Sequence, residues 1–212
     1  MEENSMTHLV AIVGGSGSGK TFISRALRDN LPYDSASLAY DCYYKDQSHL
    51  LPEQREQLNY DSPSMLDESL FLSHLQALKR GESIALPQYD FATHTRSHLT
   101  RPFAPKEVVI VEGIMVMQLP KEVYDYVIYV DAEPDVRLAR RLLRDLQTRG
   151  RTPESVVKQY LSSVKPMHAR YVEKAKEKAD YVFYNDENNG VDMKQMAEVV
   201  SAIKGIVEKD RQ

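Results

Sequence analysis

A single cysteine, Cys42, and no tryptophan occur among the 212 residues. One thiol excludes an internal disulfide and any zinc cluster built on cysteines, so Cys42 reads as a small half-buried side chain. No apolar run approaches the roughly 20 residues of a membrane span. The opening segment MEENSMTHLV also lacks a basic region followed by an apolar stretch, so a cytoplasmic protein without a membrane partner is expected. Basic residues are outnumbered, 27 against 31 acidic, for a net charge of −4, which argues against a general attraction to nucleic acid. Long Gly/Ser or Pro-rich linkers, internal repeats and low-complexity tracts are absent as well. With 42% hydrophobic and 27% charged residues, the chain reads as one globular domain spanning 1–212.

What is present alternates between strand and helix patterns. HLVAIV, 8–13, is a short apolar run that ends in glycines, and KTFISRALRDNL follows with Phe22, Ile23, Ala26 and Leu27 at helical spacing. SASLAY is a weaker second strand. Leu66, Leu70, Leu75 and Leu78 then mark one face of a helix that stops at Gly81. From Ser83 to Pro105 no periodicity is sustained, which predicts an irregular excursion or short hairpin. EVVIV, ending at Glu112, and YDYVIYV, ending at Asp131, read as parallel strands apolar on both faces. A basic helix follows with Leu138, Leu142 and Leu146 expected inward, then a helix capped by Thr152 with Pro153 at its first position and a bend near Pro166. ADYVFY is a last strand, and Met193, Met196, Val200 and Ile203 mark a closing helix. The expected class is α/β, a parallel sheet with helices on both faces.

The motif that carries chemistry is GGSGSGKT. Gly14, Gly19, Lys20 and Thr21 satisfy G-x-x-x-x-G-K-[ST] between a strand and a helix, which is the context a phosphate-binding loop needs. Glycines let successive N–H groups turn toward one anion, the helix N-terminus adds its positive end, and Lys20 reaches the outer phosphates. The expected nucleotide-binding set is Gly14, Gly15, Ser16, Gly17, Ser18, Gly19, Lys20, Thr21 and Phe22. Thr21 and Glu112, the latter at a strand's C-terminal end, are expected to organise Mg2+. Without N-K-x-D or D-x-x-G a GTPase switch is excluded, but a nucleotide-dependent binding module is not. Asp41, just past a strand and about twenty residues after the loop, could orient an acceptor hydroxyl and take its proton.

Six stretches in this order, GGSGSGKT, YDCYYKD, NYDSPSMLD, LPQYDFATHTR, VVIVEGI and RRLLRDLQTRGR, are similar to those of the uridine kinase (uridine-cytidine kinase) family of P-loop kinases. The resemblance runs from residue 8 to about 185. It implies transfer of the γ-phosphoryl of ATP, or GTP, to a nucleoside 5′-hydroxyl, with Asp41 as general base. It implies that Asp61 accepts hydrogen bonds from both ribose hydroxyls and that Tyr89 and His94 read the base, with Tyr44 and Phe91 completing an aromatic wall. The arginine-rich stretch becomes a lid over about 137–165: Arg141, Arg151 and Gln159 touch the nucleoside, and Arg144 and Arg149 clamp phosphates. The excursion 83–105 becomes acceptor-binding; in YNDENNG, 184–190, which departs from the family's pattern, Asn188 or Asn189 is expected to approach the purine. The partners implied are a small-molecule nucleoside and a nucleoside triphosphate, with a homo-oligomer, often a tetramer, as the assembly. A pantothenate kinase or phosphoribulokinase-like enzyme of the same fold is the alternative.

Overall fold

The computed structural model describes residues 6–186 and 190–211. Five strands, β1 (His8–Gly14), β2 (Ser35–Ala39), β5 (Val108–Glu112), β6 (Tyr126–Asp131) and β7 (Tyr181–Tyr184), form one parallel sheet in the order β2-β5-β1-β6-β7. Between β2 and β5 in the chain, β3 (Ile84–Asp90) and β4 (Thr95–Phe103) pair as a separate antiparallel hairpin, so the aperiodic excursion is a two-stranded arm.

The period of two in β1, β5 and β6 builds the core. Leu9, Ala11, Val13, Val109, Val111, Val127 and Tyr129 face one layer. Val10, Ile12, Val108, Ile110, Ile128 and Val130 face the other. Both sets are buried, as expected of strands covered on both faces. Helix α1 (Lys20–Asn30) packs Ile23 and Leu27 on the second face beside Met196, Val199, Ile203 and Val207 of the closing helix (Met193–Asp210). The inward stripe of that helix is therefore set by 196, 199, 203 and 207, while Met193 is exposed.

A short α2 (Pro52–Glu56) precedes α3 (Glu68–Lys79), which covers the first face; its first turn is capped by Asp67 and its chain leaves through Gly81 at φ 78°. Its buried residues are Phe71, Leu75 and Leu78. Leu66 lies before the helix, buried and bridged to Tyr44, and Leu70 is only partly buried.

The largest departure from the periodicity is in α4 (Pro134–Thr148). Its buried residues are Arg137, Arg141 and Asp145 rather than Leu138, Leu142 and Leu146, and Leu143 is 59% exposed. The stripe of charge faces the phosphate loop, so here the inward face is the site and not the core. Thr152 caps α5 (Pro153–Gln159), its hydroxyl accepting from Ser155 N at 3.3 Å. Beyond it the helix widens into π turns at Tyr160–Val164 and His168–Val172, on either side of a single α turn, α6 (Lys165–Met167), that contains Pro166. A proline lacks the N–H that the helical ladder requires, so the ladder re-registers around it. The closing helix is α7.

Candidate active site

Strand register brings three site segments to one edge. In the parallel pairing, Ile12 of β1 and Ala39 of β2 both lie level with Glu112 of β5. The chain leaving β1 becomes the phosphate loop two residues later, and the chain leaving β2 becomes Asp41. All three emerge at the C-terminal edge of the sheet, where open α/β folds bind ligands.

Within the loop, Gly17 and Gly19 adopt φ 84° and 94°. A side chain at Gly17 would collide with the Arg137 carbonyl oxygen, and one at Gly19 with the Asn185 amide, so α4 and the segment after β7 press the loop into shape. Asn185 holds it further by donating to Ser18 O at 2.7 Å. Lys20 Nζ donates to Gly15 O at 3.0 Å, folding over the loop, and Thr21 Oγ1 donates to Glu112 Oε2 at 2.9 Å. Burial pulls the Lys20 ammonium down to about 8, against the opposing pull of Glu112 and Asp41. The Glu112 carboxyl is pushed up by burial, countered by Lys20 and by the Thr21 hydrogen bond.

Asp41 sits in a 3-10 turn, Tyr40–Tyr43. With three residues per turn, positions 40 and 43 share one side and 41 and 44 the other. Tyr40 and Tyr43 accordingly pack on Phe71, at 3.9 and 4.9 Å between ring centroids, while Asp41 and Tyr44 face an open cavity. Arg96 clamps the turn from the hairpin: it donates to Tyr43 O at 2.6 Å and Tyr44 O at 2.7 Å, and reaches Asp67 Oδ2 at 3.1 Å. Burial raises the Asp41 carboxyl above its ordinary value, opposed by Lys20, Arg149 and Arg144.

The cavity, of about 580 Å³, is walled by Lys20, Thr21, Asp41 and Glu112 at one end and by Tyr44, Tyr60, Asp61, Tyr89, Phe91 and His94 at the other. Tyr44 and Tyr89 lie 5.1 Å apart, and Phe91 meets Tyr89 edge-on at 5.2 Å. His94 stacks on Tyr60 at 4.3 Å and 14°, from a backbone with φ 54° that a non-glycine residue adopts at a cost of about 1–3 kcal/mol. Burial, with help from Arg149, lowers its imidazole from the usual value, so the ring is neutral near pH 7.

Across the cavity stand Arg141, Arg144, Arg149, Arg151 and Gln159. Arg141 donates to Ser16 Oγ at 2.8 Å and to Gln159 Oε1 at 2.9 Å, and Arg151 also donates to Gln159 Oε1. One carboxylate gathers the group: Asp145, 0% exposed, accepts from Arg144 Nε at 2.9 Å and lies 3.5 and 3.6 Å from Arg141 and Arg149. Arg149 also lies over the Phe91 ring at 5.3 Å.

A family model described as "Phosphoribulokinase / Uridine kinase family" matches residues 9–192. The uridine kinase of Staphylococcus aureus (strain JH9) is 45% identical over 188 residues, covering 87% of this chain and 91% of that one. The chain belongs to the phosphoribulokinase/uridine kinase family. Among solved structures, the phosphoribulokinase from Rhodobacter spheroides superimposes with a TM-score of 0.62 at 13% identity, over 86% of this chain and 71% of that one. The D-glycerate 3-kinase from Cryptococcus neoformans var. grubii gives 0.55 at 18% identity, over 77% and 78%. At such identities these two likenesses speak to the fold, a P-loop kinase sheet, and membership makes the chain a phosphotransferase with a nucleotide donor and a small-molecule acceptor.

In this kinase every acceptor-side residue expected from the sequence reaches the cavity. Of the expected nucleotide-binding set, Ser16, Lys20 and Thr21 line it, whereas Gly14, Gly15, Gly17, Ser18, Gly19 and Phe22 do not, and Phe22 is 49% exposed. Asn188 and Asn189 lie outside the described residues. Sequence reasoning missed Tyr60, Arg96, Asp145, Ser163 and Asn185. Two of these carried a visible signal: Tyr60 adjoins Asp61 in NYDSP, and Asp145 is the lone acid of the arginine run.

Among the described residues no group of three or more His, Cys, Asp and Glu is arranged for a metal ion. The Thr21 hydroxyl and Glu112 carboxylate, in contact at the loop, offer two hard oxygens, which fits Mg2+ because that ion keeps phosphate oxygens and waters in its shell. No helix is long and apolar enough to cross a membrane among the described residues.

Proposed function

We propose that this kinase phosphorylates the 5′-hydroxyl of uridine, and of cytidine, at the expense of ATP, yielding UMP or CMP. The observation that carries the reading is that one cavity has two chemically different ends, with Asp41 on the phosphate side and within electrostatic reach of both Lys20 and Asp61. The glycine loop and Lys20 suit a triphosphate, while an aromatic wall with a buried carboxylate suits a flat base on a ribose. The relative at 45% identity is named uridine kinase, which fits.

In this mechanism the backbone N–H groups of Gly14–Gly19 and Lys20 hold the β- and γ-phosphates. Mg2+ held by Thr21 and Glu112 would neutralise phosphate charge there. Tyr44, Tyr89 and Phe91 form one aromatic wall against the base, neutral His94 exchanges one hydrogen bond with its edge, and the two Asp61 oxygens accept from the cis-diol. Asp41 accepts the 5′-hydroxyl proton as that oxygen bonds to the γ-phosphorus and the bond to the β,γ-bridging oxygen breaks, releasing ADP. Arg144 and Arg149 spread the charge of the transferring group, and Arg141, Arg151 and Gln159 hold the nucleoside. The stretch of about 137–165 acts as a lid on a single domain spanning 1–212, which contains the arm of 83–105. ADP release from ATP, measured with uridine, cytidine, pantothenate and ribulose 5-phosphate supplied separately, tests the reading. Turnover is expected with the two nucleosides, and turnover confined to another acceptor, or none with any, would end it.

A further inference from the structure

Asp61 is 7% exposed, and a carboxylate so buried needs donors. Its backbone is fixed by the loop: Asn59 Oδ1 accepts from Asp61 N at 3.2 Å, and Asn59 O from Ser62 N at 3.0 Å. Its side chain meets Ser163, whose hydroxyl lies 3.0 Å from Asp61 Oδ2. Ser163 belongs to the π-wound turn Tyr160–Val164, 102 positions away in the chain. The same hydroxyl lies 3.2 Å from Gln159 O, its i−4 carbonyl. A hydroxyl has one proton, and a carboxylate is the stronger of the two acceptors, so the bond to Asp61 prevails. Gln159, one turn earlier on this helix, receives Arg141, which bonds in turn to Ser16 of the phosphate loop.

We infer that Ser163 is a positioning residue for nucleoside recognition: it donates to one oxygen of Asp61, fixes the carboxylate's rotation, and thereby sets the preference for ribose over 2′-deoxyribose. This rests on the reading of Asp61 as the diol acceptor. With Ser163 in place the carboxylate plane cannot turn to suit a sugar that lacks one hydroxyl. An Asp61 released from Ser163 can turn, so the penalty for the missing 2′-hydroxyl falls. The π turn matters because helical widening of this kind re-aims side chains at functional sites.

The test compares Ser163→Ala, Ser163→Thr and Asp61→Ala by steady-state kinetics with uridine and 2′-deoxyuridine. A hydrogen bond to a charged group carries about tenfold or more in an equilibrium. Ser163→Ala is therefore expected to lower kcat/KM for uridine about tenfold, chiefly through KM. The loss for 2′-deoxyuridine is smaller, and KM for ATP is unchanged. Ser163→Thr, which keeps the hydroxyl, stays near the parent. Equal losses with both sugars, or a threonine variant as poor as the alanine one, would overturn the inference by reducing Ser163 to a packing residue. If Asp61→Ala keeps full discrimination, the diol reading has failed and takes the inference with it. If Asp61→Ala loses discrimination and Ser163→Ala keeps it, the Ser163 assignment alone falls.

Discussion

Asp41 and Lys20 are ionisable groups whose neighbourhoods push them toward one another's range. Burial raises the first and lowers the second to about 8, and each partly offsets the other's shift. In the proposed mechanism the base acts only when ionised and the ammonium neutralises phosphate only when protonated, so the signs are opposite. Activity is lost in acid as Asp41 takes up a proton, and lost in alkali as Lys20 gives one up. The profile of kcat/KM for ATP, which reports the free enzyme, is expected to fall above pH 8, and Lys20→Arg to carry that limb well upward even though turnover drops. An alkaline limb unmoved by the arginine would assign it to another group. Asp41→Asn is nearly isosteric and has no proton to accept. It should cost about a hundredfold or more in kcat, in the range of general-base removal, while nucleoside and ATP binding by calorimetry stay within a few-fold. Near-parent turnover in that variant would remove Asp41 from the chemistry.

At the scale of elements, local pattern was informative in the sheet, slipped by a position or so at helix starts such as Leu66 and Met193, and was misleading in α4, where the site decided the face. The strands β1, β5 and β6 were legible because residues buried on both faces leave continuous apolar runs ending in a carboxylate or glycines. In α4 the leucines and the charged residues recur at the same interval, so periodicity alone could not say which stripe turns inward. Arg137, Arg141 and Asp145 won because their partners are loop carbonyls and one another, supplied by other elements. Contacts such as Arg96 with the Asp41 turn or Ser163 with Asp61 join residues 52 to 102 positions apart, and nothing local encodes them. Asp145 allows a prediction at this scale. Removing the charge among three arginines leaves them without their buried counter-ion. Two of these, Arg144 and Arg149, are about a third exposed, which tempers the loss to roughly 2–3 kcal/mol. Asp145→Asn should then melt about 4–12 °C lower than the parent. A triphosphate supplies replacement negative charge, so the gain in Tm on adding ATP should exceed the parent's. An unchanged melting curve would show that Asp145 does not anchor the group.

At the scale of the molecule, three separately built parts close on one space: the sheet edge with its loop, the arm of β3 and β4 with Tyr89 and His94, and the arginine helices α4 and α5. The arm touches the arginines directly, since Arg149 lies over Phe91, and the arginines touch the loop through Arg141 and Ser16. In the proposed complex the first of those contacts lies on the nucleoside side and the second on the triphosphate side, so either substrate alone would secure only one side of the proposed lid. Both together remove the solvent that separates them, and the second to bind gains from ordering that the first has already imposed. Trypsin reports this, because Arg149, Arg151 and their neighbours are its cleavage sites. Cleavage between 144 and 151 is expected to slow slightly with uridine or with a non-hydrolysable ATP analogue, and about tenfold or more, beyond the product of the two effects, with both present. Strict multiplication of the separate protections would mean that the two ends of the cavity bind independently, and that the arginine helices are a fixed wall rather than a closing one.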